Sequence, residues 1–269
     1  KVRVWVPAAG WVLGVCAVRT VNAVQLQRTS AVTALDVSQG QSIVFSSGRA
    51  CAVVDCGGRS TAEDPGDLAA RKLLAQGHRS LDLLVLTHPH DDHVNGVLRL
   101  MHWLPVRTLV IPAAADTTQA PLSDILALAE ANHTAVVRVD AERTVTAGGI
   151  SVHLYPEPCA GQEDGSMIVL TSIGDYDTLV PGDVDTTAEV KFLSNCTYPG
   201  IELLLVGHHG SKKSTCDAWL DAIAPDAAII SVGYNSYGHP TSETLERLQA
   251  HNIPIYRTDQ MGDITVHLS

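Results

Sequence analysis

The run Thr87-His88-Pro89-His90-Asp91-Asp92-His93-Val94-Asn95-Gly96 places three imidazoles and a carboxylate within six positions, directly after the apolar stretch Leu81 to Thr87. Borderline-soft divalent ions take imidazole and carboxylate ligands, and a loop at a strand end lets side chains close in sequence converge on one point. His88 and His90, two positions apart, suit one ion, while Asp92 and His93 turn toward a second. A solvated histidine-rich loop is the bland alternative, and the buried strand in front of it argues against that.

Three further segments share this strand-then-polar pattern. Leu179-Val180-Pro181-Gly182-Asp183 ends a strand in glycine and aspartate; alone this is a turn, but such an aspartate can bridge two ions about 3.5 to 4 Å apart. Leu203-Leu204-Leu205-Val206-Gly207-His208-His209-Gly210-Ser211 delivers two histidines from another apolar strand. Two consecutive side chains cannot both point at one ion, so His208 is expected as the ligand and His209 as a contact of a ligand or of substrate. In Ser231 to Pro240, His239 is a candidate proton donor or phosphate contact, with Asn235 and nearby amides in support. A Gly/Pro-rich loop with an incidental histidine stands beside that reading. Asp36 and Asp55 sit at strand ends, where an aspartate orients a metal-bound histidine or caps a turn.

The elements that must position these groups alternate between β-branched runs and helical stretches, as in a layered α/β fold. Strands are expected at Ala31 to Val37, Ser42 to Phe45, Ala50 to Asp55 and Leu81 to Thr87, with helices near Leu68 to Gln76 and Val94 to His102. A second set is expected to begin at Met167, giving two similar halves packed sheet to sheet.

At 269 residues and 45% apolar content, the chain can bury the core of one catalytic domain. A formal charge of -11 argues against gripping nucleic acid by bulk electrostatics, so any polyanion must be handled by metal ions and a few cations. Six cysteines (Cys16, Cys51, Cys56, Cys159, Cys196, Cys216) form no C-x-x-C pair, which argues against a structural zinc site. Cys51 and Cys56, an odd number of residues apart, are expected on opposite faces of their strand and unbonded. A chain starting at Lys1 is expected to be a piece of a longer protein. Its apolar stretch from Trp5 to Val24, interrupted by Arg19 and Asn22, reads equally as the end of a transmembrane helix or as a first strand and linker. The expected division is a linker or membrane-segment end over 1–30 and one body over 31–269.

Together these residues resemble the metallo-β-lactamase superfamily, whose H-x-H-x-D-H motif is met by His88, His90, Asp92 and His93. More narrowly, they resemble the carboxyl-terminal hydrolase domain of ComEC-type channels, which import single-stranded DNA in naturally competent bacteria. Asp36 to Ser42, Ser166 to Leu170, Gly182-Asp183, His208 to Ser211 and Tyr237 to Pro240 occur in family order, and the resemblance spans about Ala31 to Ser269. Phosphorylcholine-esterase-like members share several of these motifs. The usual histidine between the first motif and the bridging aspartate is not evident; Glu163-Asp164-Gly165-Ser166-Met167 offers Ser166 or Asp164 instead. Ser38 and Gln41 stand where glycine and an acidic residue are more common.

The resemblance implies an αβ/βα sandwich, two packed mixed sheets with helices outside, and two divalent metal ions, manganese or zinc. It implies His88, His90 and Asp183 around one ion and Asp92, His93, Asp183 and His208 around the other, with Asp92 also orienting the nucleophile. His239 and His209 are candidate proton donors, Ser211, Lys212 and Asn235 candidate phosphate contacts, and Asp36, Asp55 and Ser166 candidate supports of the ligands. The implied activity is phosphodiester hydrolysis: degradation of the non-imported DNA strand, by a soluble domain at the extracytoplasmic face of the membrane, beside the channel part of the same protein. A small-substrate phosphodiesterase or esterase, and a non-catalytic module supporting the channel, are the alternatives. The acidic charge predicts no stable nucleic-acid binding by this chain alone.

Overall fold

The computed structural model describes residues 29–59, 63–156 and 166–268. Expectations for residues 1–28, Cys159 and Asp164 lie outside them. Among the described residues, the first sheet contains β1 (Ser30–Ala34), β2 (Ile43–Ser47), β3 (Ala50–Val54), β4 (Leu81–Val85), β5 (Val106–Pro112) and β6 (Ala135–Val139). The second contains β7 (Arg143–Ala147), β8 (Ile150–Tyr155), β9 (Ile168–Ile173), β10 (Tyr176–Val180), β11 (Leu203–Leu205), β12 (Ala227–Ile230) and β13 (Ile255–Arg257). β14 (Ile264–Leu268) returns to the first sheet and pairs antiparallel with β1.

Each sheet has seven strands, antiparallel at its start and parallel afterwards: β3 to β6 run parallel in one, β10 to β13 in the other. This is the αβ/βα sandwich that the resemblance implies. Strand alternation explains the layers. In β11, Leu203 and Leu205 face the other sheet alongside Val85, Val152 and Val180, while Leu204 faces helices alongside Phe192, Trp219 and Leu248. The first sheet's outer face packs on α1 (Pro65–Ala75), α3 (Val97–Trp103) and α4 (Leu122–Ala131); the short α2 (Asp91–Val94) precedes α3. The second sheet's outer face is covered by α5 (Thr186–Asn195), α6 (Asp217–Ile223) and α7 (Ser242–Ala250), and one turn, α8 (Thr258–Met261), follows β13.

The structure revises three expectations. The second half begins at β7 rather than Met167: this edge strand pairs only with β8 and is largely exposed, so Arg-Thr-Val-Thr-Ala carries a weak apolar signal. The helix expected over Val94 to His102 is split into α2 and α3 at Gly96, whose amide donates to Cys56 O at 2.9 Å. Cys51 and Cys56 lie in the same apolar cluster rather than on opposite faces, because Asp55 between them has a left-handed backbone (φ 59°) that breaks strand alternation. Both are free thiols.

The helix-covered face of the second sheet turns on Phe192, fully buried against the rings of Tyr155, Tyr198 and Trp219. Phe192→Ala is expected to cost about 3–5 kcal/mol, read as a lower urea midpoint at unchanged m-value.

Candidate metal centre

The strongest sequence candidates all emerge at the carboxyl ends of strands in the two sheets, the edge where layered α/β folds place ligands. Asp55 follows β3 and is fully buried. Its carboxylate accepts from Thr87 N (2.7 Å), Thr87 Oγ1 (2.7 Å), Gln41 Nε2 (2.7 Å) and His93 Nδ1 (2.8 Å). A carboxylate only accepts, so the Nδ1 of His93 carries the hydrogen and its Nε2 is directed at Asp183 Oδ1, 3.1 Å away. The Thr87 hydroxyl gives its hydrogen to Asp55 and therefore accepts from His88 Nδ1 at 3.0 Å, which turns the Nε2 of His88 toward Asp183 Oδ2 at 3.8 Å. One buried carboxylate thus aims two imidazoles, one directly and one through a hydroxyl.

Tight backbone packing holds α2 in place. Gln41 N donates to Asp92 O and Cys56 N to His93 O, and a Cβ on Gly57 would lie 2.4 Å from His93 N. Only glycine fits there.

Asp183 follows β10 and stands between two groups of potential ligands. His88, His90 and Asp183 offer donor atoms within 4.8 Å of one another, and so do Asp92, His93 and His209. The Oδ2 of Asp183 faces His88 and His208, and its Oδ1 faces His93 and His209. Burial opposes charge on both His93 and Asp183, yet their mutual attraction outweighs it: Asp183 and then Asp55 hold His93 well above its ordinary pKa, and His93, His209 and His88 hold Asp183 well below.

The adjacent histidines are arranged differently from the expectation. Both have left-handed backbones (φ 50° and 53°), anchored by His208 N on Gly182 O and Ser211 N on His208 O. Their rings stand 6.4 Å apart at 80°. His209 is buried and belongs to the second ligand group, whereas His208 is half-exposed with Nε2 3.6 Å from Asp183 and lies outside both groups. The structure therefore exchanges the two placements: the paired left-handed turn points the second histidine, not the first, inward. His209 Nδ1 donates to Ser231 O at 2.9 Å, so the lone pair of Nε2 points at Asp92 (3.7 Å) and Asp183 (3.8 Å). That Nε2 is buried and has no hydrogen-bond partner. A lone pair facing two carboxylates is repulsive unless a cation lies among them, so the residues fit a divalent ion.

Other expectations fare unevenly. His239 lines the cleft, its pKa lowered by burial and then by His208 and His209. Asn235 does not line the cleft, and its amide hydrogen-bonds Gly233 O, His239 O, Tyr237 N and His239 N. Neither Ser211, whose Oγ accepts from Lys213 N, nor the exposed Lys212 lines the cleft. Asp36 is exposed and accepts from Ser38 N, so it caps a turn rather than orienting a ligand. Ser166 is buried next to Met167, whose amide donates to Thr87 O. Sequence reasoning gave no role to Thr87, although it opens the histidine motif, or to Tyr237, although it opens the Tyr237 to Pro240 motif, and it missed Arg59, which lines the cleft without motif spacing.

A model of the metallo-β-lactamase superfamily matches residues 35–234, and the chain belongs to that superfamily. Within it, the chain is similar to ComE operon protein 3 of Bacillus subtilis (strain 168), 29% identical over 254 residues that cover 87% of this chain and 32% of the relative. It is also similar to competence protein ComA of Neisseria gonorrhoeae, 29% identical over 243 residues covering 88% and 32%. These are ComEC-type competence proteins, and the chain spans about a third of their length. Among solved structures, YhfI from Bacillus subtilis (TM-score 0.61, 13% identity, 89% of this chain and 100% of that one) and zinc-bound PqqB from Methylobacterium extorquens (0.57, 15%, 88% and 100%) share the fold. The chain is a metallo-β-lactamase hydrolase domain related to ComEC-type competence proteins.

Because Asp55 supports one imidazole in each ligand group, Asp55→Asn is expected to weaken zinc or manganese binding about 10–100-fold at both steps of a calorimetric titration. A change confined to one step would remove the Thr87 relay from the account.

Proposed function

We propose that this chain is the metal-dependent phosphodiesterase of a ComEC-like DNA uptake protein, acting on the strand that is not imported. The observation that carries the reading is Asp183 set between two ligand groups, one carboxylate oxygen toward each. His88, His90 and Asp183 would hold one divalent ion, and Asp92, His93, His209 and Asp183 the other. Manganese or zinc bound there lowers the pKa of water and neutralises charge developing on a phosphate.

The chain's own groups do the rest. Asp55 and Thr87 fix the imidazoles before substrate arrives, so little reorganisation is needed during reaction. Asp92 accepts from the attacking water and orients it. His239, held through its backbone by Asn235, hydrogen-bonds a phosphate or leaving-group oxygen, and half-exposed His208 stands beside it with ring centroids 5.6 Å apart.

Asp91, Asp92 and Asp183 line the cleft of a chain carrying -11, so the full-length protein must present the DNA locally. In this reading the domain works outside the cytoplasm beside its channel. No helix of the described residues is long and apolar enough to cross a membrane.

Cleavage of single- and double-stranded DNA by the purified chain, with manganese, zinc, magnesium or chelator, tests this reading. Activity is expected with manganese or zinc, abolished by chelator and reduced on the order of a hundredfold or more in Asp183→Ala. Hydrolysis of a small chromogenic diester without DNA cleavage would replace the reading with a small-substrate phosphodiesterase, and stoichiometric metal with neither activity would leave a supporting module.

A further inference from the structure

The cleft in front of Asp183 has a volume of about 470 Å³, room for one small-molecule-sized group. A polymeric substrate must continue over its rim, and the rim carries an aromatic ring and a cation. Tyr237 lines the cleft and is 58% exposed, and Tyr234, on the same loop, is 96% exposed. The chain has only six tyrosines. A ring left largely in water beside a candidate active site buries little apolar surface for the fold.

This loop is rigid. The four hydrogen bonds of Asn235 (2.8, 2.8, 3.1 and 3.0 Å) close it, and Gly233 packs so tightly on Ser38 that a Cβ would lie 2.4 Å from its atoms. Rings presented by a locked loop lose little entropy when they bind. Arg59 Nη1 donates to the Tyr237 hydroxyl at 3.2 Å, and its guanidinium carbon sits 5.9 Å from the ring centroid. Among the described residues lining the cleft, Arg59 is the one lysine or arginine, and Tyr237 takes only one of the five N–H donors a guanidinium carries.

We infer that Tyr237 and Arg59 form a nucleotide subsite: the ring stacks an unpaired base and the guanidinium holds the phosphate next to the scissile one. The inference rests on the phosphodiesterase reading and narrows its substrate to single-stranded nucleic acid. Every base offers a π-face for such stacking, but a paired base has both faces covered by its neighbours. The subsite therefore tolerates sequence and discriminates strandedness.

The test uses a single-stranded oligonucleotide carrying 2-aminopurine and phosphorothioate linkages that slow hydrolysis, titrated at low salt into the metal-loaded chain, where bound ions offset the cleft carboxylates and weak local contacts are least screened. Binding is expected to quench the base's fluorescence. Tyr237→Ala is expected to weaken binding roughly 5- to 100-fold and reduce the quench, while Tyr237→Phe keeps both. Arg59→Ala should lower the slope of log Kd against log salt by about 0.7. With an unmodified oligonucleotide, Tyr237→Ala should raise KM several-fold more than it raises KM for a small chromogenic diester. Absence of oligonucleotide binding, equal affinity for duplex, or alanine variants that bind like the parent overturns the subsite, and small-diester hydrolysis surviving that result leaves the phosphodiesterase reading in place. Stacking without hydrolysis of either substrate overturns the phosphodiesterase reading instead.

Discussion

The buried carboxylate of Asp55 accepts four hydrogen bonds from three separate stretches of chain: Gln41 after β1, Thr87 after β4 and His93 in α2. A buried carboxylate without such partners is strongly unfavourable, so these stretches are obliged to meet around it. Their meeting decides the tautomers of His88 and His93, hence which nitrogens face Asp183. The aim of these two imidazoles follows from that obligation, and Asp55 meets it with a left-handed backbone.

Asp183 plays the complementary part from the other sheet. It arrives from β10, antiparallel neighbour of β9, and meets histidines delivered by β4 and by the turn after β11. The two sheets therefore contribute opposite sides of one site, and the apolar layer between them fixes how far apart those sides stand. Dense packing resists small displacements, so side chains on different sheets can hold a shared ion without flexible linkage.

The fold supports many chemistries, and function has to be argued from the site. Two candidate ligand groups meeting at one aspartate suit a metal-dependent hydrolase, and the cleft sets a single arginine among aspartates in a chain of net charge -11. These features agree with a domain spanning about a third of its competence relatives.

The sequence by itself determined the layered fold, the histidine motif and the strand-end position of Asp183, because these depend on apolar alternation and on residues adjacent in the chain. Leu203-Leu204-Leu205 reads as a strand buried on both faces, and it is one. Tertiary structure alone decided which of His208 and His209 turns inward, since two consecutive left-handed residues are set by contacts to Gly182 rather than by local preference. It also decided that Asn235 closes a loop, that Asp36 caps a turn, and that Arg59 meets Tyr237 across 178 positions of sequence. Such pairings leave no periodicity in the chain, because they are made where two sheets and their loops happen to converge in space.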